Sequence, residues 1–531
     1  MEANCTLVSY TKTGFFSKLV IDYLRQDEKL KPFYKHPVSL DGIKAAIKAR
    51  QVFPQQREVL VQELKKQYEG LQQTPKLSNN IEQLLQPGTF TITTAHQPNI
   101  FTGPLYFIYK ILHTIKLADT LKQQLSEYNF VPVYYMGSED ADLDELGTIN
   151  IDGVKYTWQT KQTGAVGRMK VDNAFISLMG AIQGQLGVLP YGNEIIELFT
   201  KVYTKGKTIQ QATLEMINHL FGVYGLVIVI PDNANLKKLF QPVVEKELKE
   251  GFSHKAVAAT VPQLEKHYKV QAAGRELNLF YLSEDKRERI ELMGSRFLVT
   301  SLGVDFSLEE ILKELNEHPE RFSANVILRG VFQETILPNI AFIGGGGELA
   351  YWIELKNVFE AVDVPYPMLI LRNSFLIAED KWKQKVNALG LSMEDFFLSE
   401  HELMKLIVTK QSTNRFSLNG ELKKVEDLYD EMTVLANNVD TTLHDHVASL
   451  KAKAVKRLQE LEKKMLRAEK RKFENEQNQV RKIKAALFPN NSLQERVENL
   501  SGVYAQYGKD LIDSLLQHSL SLEQEFAILS I

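Results

Sequence analysis

The segment "TTAHQPNIFTGPLYFIYK", residues 93–110, decides the fold prediction because it joins a strand to a helix through a polar turn. A Thr-rich apolar run ends at a small residue, and His96 and Pro98 follow it. Beyond Gly103 and Pro104 the apolar residues recur at helical spacing. A buried strand that enters a helix through an imidazole-bearing turn predicts the ligand-binding edge of an α/β sheet.

Other short apolar runs repeat this pattern along the chain. Each has the length of a strand, is rich in Val, Ile or aromatic residues and ends in a polar or small residue: "FTITTA", "NFVPVYYMGSED", "YGLVIVIPD", "NVILRG", "NIAFIGGGG" and "YPMLILRNS". Strands that are apolar on both faces belong to parallel sheets covered by helices. Helical stretches at 105–127, 208–221 and 348–361 lie between them, so the sequence predicts an α/β fold with a doubly wound parallel sheet.

The remaining segments predict how the chain is divided. The core comprises three segments, 1–150 with the N-terminal helices, 206–254, and 323–400. Two insertions, 151–205 and 255–322, interrupt it. A helical coiled-coil domain follows at 401–510, and a C-terminal helix at 511–531 packs back on the body. In the coiled-coil segment a seam steps by three or four residues: Leu450, Ala454, Leu458, Leu461, Met465 and Ala468. Such a seam predicts a long helical hairpin or helix pair that self-associates, since an isolated helix pair seldom buries its whole seam. In "LFPNNSLQERVEN", Ser492 and Glu495 have the spacing of a helix capping box.

Composition limits the classes of protein to which the chain can belong. Its 531 residues carry a formal net charge of -3, which argues against a protein that coats nucleic acid or an anionic membrane. Cys5 is the only cysteine, which excludes a disulfide framework and a thiolate zinc site. The sequence contains no run of 18 apolar residues and no secretory signal pattern at its start. We therefore predict a soluble cytoplasmic protein without nucleic-acid or membrane partners.

Polar residues follow several of the predicted strands, where a parallel sheet places its ligands. They form a histidine turn, an acid turn, a glycine run and an arginine turn, namely His96 to Asn99, Ser138 to Asp142, Gly344 to Glu348, and Arg372 to Ser374. An imidazole at a helix head can donate a hydrogen bond to a phosphate, and glycines allow close approach of the backbone. The acid turn suits an ammonium group, a hydrated Mg²⁺ or a general base. A buried histidine bonded to a carbonyl, a tight turn and a solvated loop are the alternatives.

Several longer stretches resemble the cysteine-adding enzymes of bacillithiol biosynthesis, the BshC family. They cover nearly the whole chain: "TGFFSKLVIDYL", "TTAHQPNIFTGPLYFIYKILHTIKLA", "VPVYYMGSEDADLDEL", "FSANVILRGVFQETILPNIAFIGGGGELAYWIELKNVFE", "LILRNSF" and "LFPNNSLQERVENLSGVYAQYG". The resemblance implies a Rossmann-like nucleotidyltransferase core similar to class I aminoacyl-tRNA synthetases, two connecting-peptide insertions and a dimeric helical coiled-coil domain. It implies a ligase that joins L-cysteine to the amine of glucosaminyl-malate as an amide, with ATP activating the carboxylate.

Within this resemblance, His96 to Asn99 take the place of the synthetases' HIGH signature, and the turn would hold a nucleotide or another anion at the helix head near Gly103. The expected catalytic residues are His96, Asn99, Glu139 and Asp140. The expected substrate-binding residues are Gln97, Lys110, Asp142, Gln333, Glu348, Tyr351, Arg372 and Ser374. The expected nucleotide-binding residues are His96, Pro98, Gly103, Gly344, Gly345, Gly346 and Gly347. ATP, with or without Mg²⁺, is the expected cosubstrate, and zinc is not expected.

The sequence departs from the family pattern at a few positions. Ala141 stands where the acid stretch usually has histidine, and Ala95 stands where glycine is common before the imidazole. No KMSKS loop is recognisable, so Leu371 to Ser374 is the nearest candidate for a late phosphate-binding element. An adenylating enzyme acting on another small acid and a dimeric coiled-coil scaffold are the alternative functions.

Overall fold

A computed structural model describes residues 3–271, 274–412 and 417–531 of the protein. Its centre is a parallel sheet whose five strands follow in chain order as β1 (Thr89–His96), β2 (Asn129–Met136), β3 (Val227–Val229), β4 (Asn339–Gly344) and β5 (Met368–Leu371). Their spatial order is β5-β4-β1-β2-β3, with every neighbouring pair parallel. The predicted doubly wound α/β fold is therefore confirmed.

The strand order reverses direction between β1 and β4. The chain proceeds from β1 outward to β2 and β3, then returns to the other side of β1 for β4 and β5. The pairing places the end of β1 beside the end of β2, with His96 opposite Met136, and places Gly344 opposite Leu371. Such a switch point opens a crevice beyond the carboxyl ends of the strands.

Helices cover the sheet, and four of them bear on the site: α1 (Leu105–Gln124), α2 (Ala234–Glu250), α3 (Val326–Ile336) and α4 (Gly346–Glu354). Leu117 and Leu121 of α1 share a buried cluster with Phe90 and Ile92 of β1. The other helices outside the coiled-coil region are Tyr10–Thr13, Lys18–Leu24, Leu40–Gln51, Arg57–Gln67, Pro75–Gln83, Leu143–Leu146, Asn173–Leu186, Gly192–Val202, Ile209–Phe221, Phe252–Leu264, Leu308–Glu317, Lys356–Glu360, Gln494–Val497, Leu500–Tyr507 and Lys509–His518.

One predicted strand is wrong. The run "NVILRG", residues 325–330, begins helix α3 and not a strand. The side chain of Asn325 accepts a hydrogen bond from the backbone N–H of Ile327 at 2.8 Å, which starts the helix. A short apolar run does not distinguish a buried helix from a buried strand, because both faces are apolar in either case.

Both predicted insertions contain antiparallel strands. Val154–Thr157 of the first insertion pairs with Thr148–Ile151, which begins before the predicted boundary at 150/151. In the second, Leu279–Leu282 lies between Arg287–Arg289 and Phe322–Ala324. The remaining strands are Asn4–Val8, Glu291–Met293, Arg296–Val299, Val304–Phe306, Phe375–Ala378 and Phe526–Ser530. The last of these corrects the prediction of a helix over 511–531, because the helix Lys509–His518 ends early and an apolar strand follows it.

The chain forms two compact units. The first contains residues 1–11, 15–376 and 492–529, and the second contains 12–14, 377–491 and 530–531. This division by contacts runs at 376/377 and groups residues 492–510 with the first unit, whereas the sequence pattern placed a boundary at 400/401. The second unit is helical as expected, with Asp380–Ala388, Glu400–Gln411, α5 (Asn419–Val439), α6 (Leu443–Lys470) and Glu474–Leu487.

Within the described residues, none of the helices combines the length and the apolar character that are needed to span a membrane.

Candidate active site

A cavity of about 600 Å³ lies at the switch point of the sheet. Residues that follow β1, β2, β4 and β5 line it, and these include Gln97, Glu139, Gly345 and Arg372. The predicted residues that it brings together are His96, Gln97, Lys110, Glu139, Asp140, Gly345, Gly346, Gly347, Glu348, Tyr351 and Arg372. The histidine, acid, glycine and arginine turns thus meet along one rim, because parallel strands direct their carboxyl ends to the same edge.

Cationic side chains outnumber acidic ones in the lining. The cations are Lys110, Arg275, Arg287, Arg289, Arg329, Arg372 and Arg496, and the acids are Glu139, Asp140 and Glu348. Guanidinium groups form charge-assisted hydrogen bonds with carboxylates and phosphates. The cavity is therefore suited to a ligand that carries anionic groups.

His96, at the end of β1, is buried against two aromatic rings. Its ring lies 4.6 Å from that of Phe107 and 5.4 Å from that of Tyr106, measured between ring centroids. The Nε2 atom is buried and has no hydrogen-bond partner among the described residues. Burial lowers the pKa of His96 well below 6.5, and the charges of Lys110, Arg329 and Arg372 lower this pKa further. The imidazole is therefore neutral at pH 7, and its Nε2 atom is a buried polar atom beside the cavity whose hydrogen-bonding capacity the described residues do not use.

Arg372, directly after β5, is held by its neighbours in one orientation. Its Nη2 donates to Glu495 at 2.7 Å, and its Nη1 donates to the Asn373 carbonyl at 2.9 Å and to Ser374 Oγ at 3.0 Å. The Nε atom is buried and has no partner among the described residues. A Cβ at Gly345 would lie 3.6 Å from this Nε, at an ordinary van der Waals distance, so the glycine turn packs beside the donor. Glu495 therefore fixes the arginine and does not cap a helix with Ser492, which is a correction of the capping-box prediction.

The glycine turn is closed by a carboxylate from its own helix. Glu348 accepts a hydrogen bond from the Gly345 backbone N–H at 2.8 Å and forms an ion pair with Lys110. Lys110 also donates to the Ala95 carbonyl at 2.9 Å, which links α1 to the end of β1. Burial lowers the pKa of Lys110, and the charge of Glu348 opposes that shift. The head of α4 thus carries an internal anion beside the cavity.

The two carboxylates of the acid turn that line the cavity, Glu139 and Asp140, have different partners. Glu139 forms an ion pair with Lys237 through one oxygen and accepts from Ser323 Oγ at 2.8 Å through the other. Asp140 accepts from the Gln97 amide at 3.1 Å and from the Asp142 backbone N–H at 3.3 Å. Asp140 therefore faces the cavity without a cationic partner at ion-pair distance among the described residues.

The structure leaves other predicted residues outside the lining of the cavity. They are Pro98, Asn99, Gly103, Asp142, Gln333, Gly344 and Ser374. Asp142 is exposed and caps the short helix Leu143–Leu146, and Gln333 is buried and donates to Glu334 at 2.9 Å. Ser374 contacts Arg372 and Glu495, so its hydroxyl supports the arginine. These residues act on local structure in positions from which they do not reach the cavity.

The head of α1 does not form the anion cradle that the sequence predicted. The backbone N–H of Leu105 donates to the Glu498 carbonyl at 2.8 Å, and the Asn499 amide donates to the carbonyls of Phe101 and Gly103. Asn99 packs directly against Gly103, whose φ is +63°. The C-terminal segment therefore occupies the helix head, and the donors that fit an anion are the cavity side chains.

Two of the carboxylates of the acid turn already have partners within the protein. Among the described residues, no three His, Cys, Asp or Glu side chains are grouped as a metal site requires. Glu139 is already paired with Lys237, and Asp142 points to the exposed side of the turn.

Sequence reasoning missed most of the arginines in the cavity. Arg275, Arg287 and Arg289 come from the second insertion, Arg329 from α3, and Arg496 from the segment after the coiled coil. Arg287 and Arg289 are two residues apart on one strand, and that spacing puts both on the same face. This alternation in "DKRERIEL" is the signal that could have identified them.

Comparisons with known proteins agree along the whole chain. The family model described as "Bacillithiol biosynthesis BshC, N-terminal Rossmann-like domain" matches residues 1–373, and "Bacillithiol biosynthesis BshC, C-terminal coiled-coil domain" matches 375–531. A protein of Flavobacterium johnsoniae named "Putative cysteine ligase BshC" is 40% identical, with all of both chains covered. A protein of Christiangramia forsetii with the same name is 38% identical over 100% of this chain and 99% of its own.

Among solved structures, one titled as a "putative arginyl t-RNA synthetase" from Campylobacter jejuni covers 85% of this chain and 100% of its own, at 11% identity and a TM-score of 0.23. That score is too low to support any conclusion about the fold. The two family models and the relatives are sufficient by themselves. The chain belongs to the BshC family of bacillithiol biosynthesis.

Proposed function

We propose that the protein is a ligase that joins the carboxylate of L-cysteine to the amine of glucosaminyl-malate, and that ATP activates the carboxylate. The family and the names of its relatives support a cysteine ligase. The observation that carries the proposal is the cavity at the switch point, where a neutral histidine with a free Nε2 lies among an excess of cations. Both proposed substrates and ATP carry anionic groups, which such a lining favours.

Each cavity group has a role in this proposal. His96, being neutral, donates one hydrogen bond to an oxyanion through its protonated ring nitrogen and adds no further positive charge to the cavity. Arg372 directs its free Nε–H to the same ligand. Asp140 is the carboxylate that binds the acceptor ammonium and takes its proton before the nitrogen attacks. ATP supplies the leaving group that a free carboxylate lacks.

A reconstituted reaction with cysteine, ATP and glucosaminyl-malate tests the proposal, with the amide product measured by mass spectrometry. We expect product only when all three compounds are present. His96→Ala should lower kcat/KM about 100-fold or more, since a positioned acid–base or oxyanion group contributes on that order. His36→Ala is the matched control, because that histidine is equally buried at 6% exposure and does not line the cavity. Full activity of His96→Ala, or product formation without ATP, would contradict the assignment.

We also propose that the coiled coil forms a homodimer. Leu428, Met432, Leu435 and Val439 of α5 are spaced by four, three and four residues and are exposed in the single chain. That spacing is an a/d seam, which a partner helix covers. Leu435→Asp should convert a dimer into a monomer in sedimentation analysis, whereas Asp430→Asn on another face of α5 should leave it dimeric. A monomeric wild type would contradict the proposal.

A further inference from the structure

Arg287 is held in position before any ligand binds. Its guanidinium carbon lies 3.9 Å from the centroid of the Phe280 ring, its Nε donates to Ser323 Oγ at 3.1 Å, and its Nη2 donates to the Ala324 carbonyl at 3.1 Å. A guanidinium has five N–H donors, so three remain, and two of these point along the Nη1–Nη2 edge. Because Arg287 lines the cavity, this edge is available to a ligand at little further entropic cost.

The hydroxyl that positions Arg287 is itself oriented by Glu139. Ser323 is fully buried and gives its one proton to Glu139 at 2.8 Å, so that its lone pairs accept from Arg287. The second oxygen of Glu139 forms an ion pair with Lys237, whose side chain is 4% exposed. Both oxygens of Glu139 are thus engaged in holding other groups.

The contacts continue until they close a ring around the hairpin that carries Arg287. Lys237 lies 3.6 Å from Asp232, which accepts two hydrogen bonds from Arg168 at 2.6 and 2.7 Å. Arg168 donates in turn to the Ser283 carbonyl at 3.2 Å, directly after the strand Leu279–Leu282. Arg287 begins the second strand of the same hairpin. This ring of contacts therefore holds both strands of the hairpin against residues that follow β2 and β3, against helix α2 and against the strand Phe322–Ala324. Its members are Arg168, Asp232, Lys237, Glu139 and Ser323.

We propose that Arg287 binds an oxyanion group of the substrate, a carboxylate or a phosphate, and that Glu139 is a positioning residue for Arg287 and does not accept the substrate proton. The neighbouring charges agree with an anion at this place. Arg289 and Arg329 add two cations, Asp140 adds one carboxylate, and Glu139 is neutralised by Lys237. The identity of the substrate that carries the oxyanion rests on the proposed function, whereas the binding of an anion by Arg287 does not.

Binding of two simple probes tests the role of Arg287 without turnover. The full-length protein is titrated with succinate and, separately, with inorganic phosphate, and binding is followed by calorimetry and thermal shift. We expect at least one probe to bind, Arg287→Gln to weaken that binding tenfold or more, and Ser323→Ala to weaken it threefold or more.

Arg296→Gln is the matched control and should leave binding unchanged. Arg296 is an exposed strand arginine of the same insertion, and it pairs with Asp305. A preference for succinate identifies a carboxylate site, and a preference for phosphate identifies a phosphate site. Absence of binding by both probes, or equal binding by Arg287→Gln, would overturn the inference.

Glu139→Gln separates positioning from proton transfer. If Glu139 is a positioning residue, Glu139→Gln should raise the KM of the anionic substrate fivefold or more. Its kcat should stay within threefold of wild type, and the pH profile of kcat should be unchanged. A 100-fold fall in kcat, together with loss of the acidic limb of the pH profile of kcat, would show that Glu139 is the base. Glu139→Gln/Lys237→Met removes one charge of each sign and is the variant to use if the single substitution does not fold. If the wild type makes no amide, the proposed function fails, and weaker probe binding by Glu139→Gln still decides the positioning role.

Discussion

Breaking the ion pair between Arg372 and Glu495 should destabilise the first unit strongly, because both charges are buried. The side chains are 3% and 0% exposed, and their closest atoms lie 2.7 Å apart. Glu495→Leu leaves the Arg372 cation buried without its counter-ion, which costs about 3–5 kcal/mol in comparable sites. We expect the lower end, about 3 kcal/mol, because the Asn373 carbonyl and Ser374 hydroxyl still accept from the guanidinium.

A double-mutant cycle distinguishes the cost of breaking the pair from the value of the pair itself. Arg372→Met should cost a similar amount, whereas Arg372→Met/Glu495→Leu should come within about 2 kcal/mol of wild type, because no unpaired charge remains. Urea unfolding followed by tryptophan fluorescence measures this in a Trp382→Phe background, where Trp158 and Trp352 report on the first unit. Glu245→Gln, which breaks an exposed pair with Lys249, is the control and should cost less than about 0.5 kcal/mol. A loss below about 1 kcal/mol for Glu495→Leu, or additive losses in the double variant, would refute the reasoning.

Two further predictions concern acid stability and the turn after β1. Burial lowers the pKa of His113 from 6.5 to about 4, so the unfolded chain binds a proton that the folded chain does not, and stability falls as the pH drops below 6.5. The difference of about 2.5 pKa units corresponds to about 3 kcal/mol of unfolding free energy lost by pH 4. In urea unfolding, His113→Asn should reduce the slope of the unfolding free energy against pH by up to about 1.4 kcal/mol per pH unit. An unchanged slope would contradict the lowered pKa. Gly103→Ala should destabilise by more than about 2 kcal/mol, since a Cβ there would lie 2.6 Å from the Asn99 Cβ and the φ is +63°. Gly206→Ala, with φ +86° and nothing within 4 Å, should cost only about 1 kcal/mol by the same measurement, and equal losses at both glycines would contradict a steric cause.

Short-range patterns in the sequence determined the α/β core. Runs such as "FTITTA" and "NIAFIGGGG" are apolar on both faces, and only a sheet covered by helices on each side buries such strands completely. The same patterns placed His96, Asp140, Gly345 and Arg372 at strand ends, and the parallel topology then brought them to one cavity. The run at 325–330 escaped this reasoning because periodicity does not separate a buried helix from a buried strand.

Only the tertiary structure decided which polar groups are free to act. The sequence shows Glu139 and Asp140 side by side, yet Lys237 and Ser323 engage Glu139 while Asp140 faces the cavity. Glu495 has the spacing of a helix cap, yet it neutralises Arg372 from more than a hundred positions further along the chain. Arg287 and Arg496 reach the cavity from an insertion and from the C-terminal segment. Contacts between residues so distant in sequence depend on how separate elements pack, and local propensity carries no information about that packing.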